Sequence, residues 1–171
     1  MVTRRQGREW ALQLLVQFDL NPLPSVSEAI DEFWEQQADL EREPPEEEGV
    51  VRRRAIFTSK NVKKLESLAQ MRDFTETRVK GVMSDRARLD TLIEGYLRNW
   101  SLYRLGTVER NVLRLGFWEL THCPDIPAPI VINECVDLVK FFSETKGGRF
   151  VNGVLDRFSK NRVNLPQDYT P

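Results

Sequence analysis

The residues best equipped to hold a polyanion lie at the two ends of the chain. Near the start, Arg4, Arg5 and Arg8 are spaced i, i+1 and i+4, so on a helix Arg4 and Arg8 share a face. A guanidinium can take a phosphate through two parallel N–H donors, and it can stack on an unpaired base. Near the end, the stretch from Lys146 to Asp156 brings together two cations, Lys146 and Arg149, the ring of Phe150 and the amide of Asn152. An asparagine amide both donates and accepts, which suits a base edge. Phe150 has two readings, a core phenylalanine or a stacking platform for a base, and Asn152 either serves a ligand or fixes the turn. Gly153, inside a helical pattern, costs about 1 kcal/mol against alanine, which predicts a close backbone approach there.

Other chemistries find little material. His122 is the only histidine, and at a helix end, just before Cys123-Pro124, a capping role accounts for it. Cys123 and Cys135 are the only cysteines. Two thiols and one imidazole fall short of the four nitrogen or sulfur ligands of a structural zinc site. Buried free thiols are expected, with a disulfide between them as the alternative. Gly147-Gly148 lacks the spacing of a phosphate loop and no strand precedes it. The Glu46-Glu47 pair lies in a polar segment, whereas acid–base catalysis needs held geometry. The expectation is a protein that is not an enzyme and uses no cofactor or metal.

The elements that must position these ends are helices. Apolar residues recur at helical spacing in Trp10-Ala11-Leu14-Leu15-Phe18, in Val26-Ala29-Ile30-Phe33 and in Val62-Leu65-Leu68-Ala69. The clearest stripe runs from Leu89 through Leu92, Ile93, Tyr96 and Leu97 to Trp100. Val108-Val112-Leu115, Ile132-Cys135-Val136-Val139 and Val151-Val154-Leu155-Phe158 complete the set. No stretch alternates with period two, so the fold class is all-α. Asn21-Pro22-Leu23-Pro24 ends the first helix, and Ser25 or Ser27 can cap the second. Ser84 or Asp85 can cap the helix carrying Leu89, Pro129 suits a first helical turn, and Lys146-Gly147-Gly148 reads as a turn.

With 40% hydrophobic and 30% charged residues over 171 positions, the chain suits one domain. No apolar run approaches the roughly 18 residues needed to cross a bilayer. The N-terminus carries charge without a secretory apolar stretch, and a cytoplasmic location is expected. The net charge is only −1, but residues 28–48 hold ten acidic side chains against Arg42 alone, and residues 50–80 hold nine basic against three acidic. A near-neutral total can therefore conceal a basic face, with a solvated mixed surface as the alternative.

Four segments resemble the NusB family in its own order. Phe150-Val151-Asn152-Gly153-Val154-Leu155-Asp156 is similar to its C-terminal signature, and Ile132-Asn133-Glu134-Cys135-Val136-Asp137-Leu138-Val139-Lys140 to the helix before it. Val108–Gly116, followed by Glu119-Leu120, resembles the next helix upstream, and Arg8-Glu9-Trp10-Ala11-Leu12-Gln13 the opening pattern. Residues from about 36 to 75, including Pro44-Pro45-Glu46-Glu47-Glu48 and Arg52-Arg53-Arg54, match poorly and read as an elaboration.

The resemblance implies about seven helices in two packed bundles. The expected organisation is a single domain over 1–171, with subdomains near 1–72 and 73–163 and a tail over 164–171. It implies a transcription antitermination factor that binds single-stranded boxA RNA of ribosomal RNA leaders. It would do so with NusE, a small-subunit ribosomal protein, within an RNA polymerase antitermination complex. Arg4, Arg5, Arg8, Lys146, Arg149, Phe150 and Asn152 correspond to the RNA-contacting positions, and Tyr96 and Glu109 to the NusE-facing ones. Val16 replaces a tyrosine found in some members, and Gln6-Gly7 interrupt a denser basic run. Arg52, Arg53 and Arg54 could compensate through phosphates. The rival readings are a helical adaptor that binds only proteins and the fused NusB-like domain of an RNA cytosine methyltransferase. The latter needs a further cofactor-binding domain that a chain ending at Pro171 would lack.

Overall fold

The computed structural model of the protein describes residues 3–21, 25–40, 59–98, 100–143 and 147–161. Among these there are seven α-helices and one short 3-10 turn. They run α1 (Arg4–Leu20), α2 (Val26–Leu40), α3 (Ser59–Ser84), α4 (Arg86–Glu94), the 3-10 turn (Leu102–Arg104), α5 (Thr107–His122), α6 (Ala128–Phe142) and α7 (Gly147–Asn161). The all-α expectation holds. The expected division near residues 72 and 73 falls inside the continuous helix α3.

Helix α5 is the axle. Every residue from Asn111 to Leu120 is buried, as expected of a helix packed on all sides. Helices α1, α3, α4, α6 and α7 all pack against it. Arg8 pairs with Glu119, whereas Asp19 pairs with Arg110 and Arg114. The two ends of α1 are thus tied to opposite ends of α5, and the two helices run antiparallel.

Local chemistry sets the boundaries. Thr3 Oγ1 accepts the Gln6 N–H at 3.3 Å and starts α1, and Ser25 Oγ accepts the Glu28 N–H at 3.3 Å to start α2. Asp85 precedes α4 but makes no side-chain cap. Pro129 sits in the first turn of α6, as anticipated.

Three expectations need correction. The stripe from Leu89 to Trp100 is not one helix: α4 stops at Glu94, and Trp100 is 57% exposed. The Glu94 carboxylate accepts the Leu102 N–H and the Ser101 hydroxyl, which captures the chain into the 3-10 turn. Gly147 and Gly148 belong to the first turn of α7 rather than to a separate turn, and Lys146 lies outside the described residues. Gly153 faces open space. The close approach is made instead at Gly116, where an added Cβ would lie 2.8 Å from Leu155 and 3.0 Å from Cys135. Helical periodicity shows that a glycine lies in a helix, but not whether a neighbour crosses there.

Candidate RNA interface

The basic start of α1 is held by buried ion pairing. Arg8 is 2% exposed, and its Nε donates to both Glu119 oxygens at 3.0 and 3.1 Å. Arg78 of α3 pairs with the same carboxylate and donates to the Phe74 carbonyl at 3.0 Å. Burial pushes the Arg78 guanidinium down, against the opposing pull of Glu119. The Phe74 ring lies under both guanidiniums, 3.2 Å from Arg78 and 5.4 Å from Arg8 to its centroid. Arg8 is therefore committed to the interior, and it fixes the start of α1 over α5 and α3.

One turn further out, Arg4 and Arg5 are exposed. The first turn of α1 has no acidic residue. Cations at a helix N-terminus oppose the helix dipole, so helix stability does not explain them. Arg5 contacts Glu9 and Asp137, each at 3.4 Å with substantial exposure. Such pairs are worth only about 0–1 kcal/mol, and a phosphate can displace them. Arg4 has no ionic partner among the described residues.

Helix α6 links the two ends of the chain. Asp137 takes Arg5 on one oxygen and Lys140 on the other, the latter at 3.3 Å. Gly148, in the first turn of α7, packs on Val136 and Lys140, with a Cβ position 3.6 and 3.8 Å from their side chains. Arg5 of α1 and the start of α7 thus both reach the C-terminal half of α6. On α7, Arg149 and Asn152 are exposed, and Phe150 is half-buried against the core. Phe150 therefore has one side packed and one side toward solvent.

Sequence reasoning missed Phe141, which is 69% exposed and lies edge-on to Phe142 at 4.9 Å. The doublet carried the signal. Neighbouring helical residues point about 100° apart, and Phe142 continues the inward stripe of Cys135 and Leu138, so Phe141 must face out. Lys140 was likewise not among the expected contacts. Arg52, Arg53 and Arg54 lie outside the described residues.

The two positions expected to face a protein partner are supporting residues in this fold. Glu109 is 6% exposed and accepts the Ser143 hydroxyl at 2.7 Å, tying the end of α6 to the start of α5. Tyr96 is half-buried, edge-on to Phe117 at 5.8 Å and to Phe158 at 5.4 Å. His122 caps its helix, with Nδ1 3.1 Å from the Trp118 carbonyl and Nε2 3.4 Å from Asp85. Both cysteines are free thiols, and burial pushes Cys135 strongly upward. Among the described residues no three His, Cys, Asp or Glu side chains gather as a metal site, and no helix is long and apolar enough to cross a membrane.

Residues 5–160 match the profile of the NusB family. A transcription antitermination protein NusB of Myxococcus xanthus is 37% identical over 157 residues, covering 92% of this chain and 94% of its own length. The solved structure of T. maritima NusB superposes with a TM-score of 0.71 at 26% identity, covering 98% of this chain and 96% of that one. A structure of antitermination factors NusB and NusE in complex with dsRNA superposes with a TM-score of 0.66 at 28% identity, covering 92% and 96%. Matched by that profile from residue 5 to residue 160, and 37% identical to the Myxococcus protein over 157 residues, the chain belongs to the NusB family.

Proposed function

We propose that this chain is an RNA-binding transcription antitermination factor. It engages boxA RNA of ribosomal RNA leaders together with NusE, in the cytoplasm and without catalysis. The observation that carries the reading is that Arg5 meets Lys140 through Asp137 on α6, and that the start of α7, with exposed Arg149 and Asn152 and half-buried Phe150, packs on the same stretch of α6. Exposed guanidiniums would hold phosphates, the half-buried Phe150 would offer a ring to a base, and Asn152 would read an edge. Arg8 serves this face indirectly, by fixing the helix that displays Arg4 and Arg5. Lys146 is retained as a phosphate contact on sequence grounds.

For the NusE face we retain Tyr96, which is half-buried. Glu109 would act by holding the ends of α5 and α6 together. The neighbouring NusB–NusE structure contains dsRNA, so strand state belongs in the test. The two subdomains, near 1–72 and 73–163, are proposed as one functional unit because α3 runs through both.

The test is binding of a boxA-like RNA, single-stranded and as a duplex, with and without NusE across a salt series. Expected are preference over scrambled RNA, tightening by NusE, and loss of roughly 1–3 kcal/mol for Phe150→Ala. No preference for boxA, alone or with NusE, would make the chain a protein adaptor that has kept the fold.

A further inference from the structure

A cleft lies beside the α1 arginines. The first turns of α1 and α6 enclose a cleft of about 350 Å³, lined by Thr3, Arg4, Arg5, Arg8, Asp125, Ile126, Pro127, Ile130 and Glu134. That volume is at the lower end of the roughly 300–1,000 Å³ of ligand clefts, enough for one small planar group. Its polar character is divided. Arg4 and Arg5 are exposed cations at the rim, whereas Asp125 and Glu134 present acceptors. Ile130 is 49% exposed although large and apolar, and with Pro127 it offers a flat apolar wall.

One atom points to a ligand. Glu134 Oε2 is shielded from solvent and has no hydrogen-bond partner. It faces the Arg8 guanidinium at 3.7 Å, too far for a hydrogen bond. Arg8 gives its Nε to Glu119, and its Nη1 faces Glu134, near enough to steady the charge without satisfying the oxygen. A shielded acceptor left open is costly, and turning the carboxylate toward the cleft, where the Glu134 side chain is already 25% exposed, would let an arriving N–H donor relieve it.

We infer that this cleft takes the base of a guanosine in the bound RNA, and that Glu134 reads its Watson–Crick edge. The inference rests on the RNA reading above. An ionised carboxylate only accepts hydrogen bonds. Guanine alone among the four bases sets two N–H donors side by side on that edge, at N1 and the 2-amino group. Adenine and cytosine place a ring acceptor beside their single amino group, and uracil flanks its one N–H with two carbonyls. Those lone pairs would meet the carboxylate repulsively. Arg4 and Arg5 at the rim would hold the flanking phosphates, so the strand continues from the α6–α7 face into the cleft.

The experiment replaces each guanosine of a boxA-like RNA by inosine, which lacks only the 2-amino group, and measures binding with NusE present. At one position the inosine RNA is expected to bind about tenfold more weakly, the scale of losing part of a paired base contact. Glu134→Gln should close that gap between guanosine and inosine RNA. Ile130→Trp, at an exposed position, should fill the cleft and bring the guanosine RNA down to the inosine level. If RNA binds but inosine is tolerated everywhere, or Glu134→Gln leaves the gap intact, the cleft assignment is overturned and the RNA reading stands. If no RNA is preferred under any condition, both fall.

Discussion

Arg8→Ala and Arg5→Ala should give opposite phenotypes, although the two residues sit three apart in one basic cluster. Arg8 is buried and grips both oxygens of a carboxylate that is itself fully buried. Removing it leaves Glu119 with Arg78 as its remaining guanidinium. Breaking a buried pair by removing one partner costs about 3–5 kcal/mol. For a chain of this length each kcal/mol moves Tm by roughly 2–4 °C, so Arg8→Ala should melt roughly 6–20 °C lower. Below that temperature the slope of log K against log salt should be unchanged, because no phosphate contact is lost. Arg5 makes only exposed pairs at 3.4 Å, so Arg5→Ala should leave Tm within about 2–4 °C. It should lower the magnitude of the salt slope by about 0.7, the value for one phosphate of a single strand. Thermal melts and a salt titration of RNA binding on both variants decide the matter. An Arg8→Ala protein with wild-type Tm and a reduced slope would refute the placement of Arg8 in the interior.

Two glycines should answer alanine with opposite signs. Gly153→Ala enters open space on a helix and should stabilise by about 0.5–1 kcal/mol, whereas Gly116→Ala collides with Leu155 and Cys135 and should cost about 1–3 kcal/mol. Urea unfolding of both reads the difference, and a shared sign would contradict the packing of α5 on α7. Asp19 is expected to make stability pH-dependent. Burial alone would raise its pKa, but hydrogen bonds and charge from Arg110 and Arg114 hold it below the usual carboxylate value. Its contribution is therefore present above about pH 4 and lost as pH falls through the depressed folded-state value. Asp19→Asn should be less stable than wild type near neutrality and converge with it in acid. A stability gap that persists unchanged into strong acid would mean that the ionised carboxylate is not the source.

Much of the helix inventory was written locally. The inward faces of α1, α2, α5, α6 and α7 follow from apolar spacing over a few turns, a signal that each segment carries without reference to any other. Ser25, Pro129 and the prolines after Asn21 marked boundaries for the same reason. The cations and Phe150 near the two ends, and the family motifs that contain them, were also legible.

What the sequence could not decide was azimuth and company. Arg4 and Arg8 share a helix face by spacing, yet only Arg8 is covered, because α5 and α3 reach that turn and not the one before it. The partner that covers it, Glu119, is 111 positions away. Likewise Arg5 meets Lys140 through Asp137, a link of 132 positions. The stripe that seemed to run on to Trp100 ended at Glu94 because that carboxylate found the 3-10 turn eight residues on. Periodicity records which way a side chain points along its own helix. Whether it points at solvent, at a buried carboxylate or into a cleft depends on how the helices pack, and buried charges impose that choice because each must find its counter-ion.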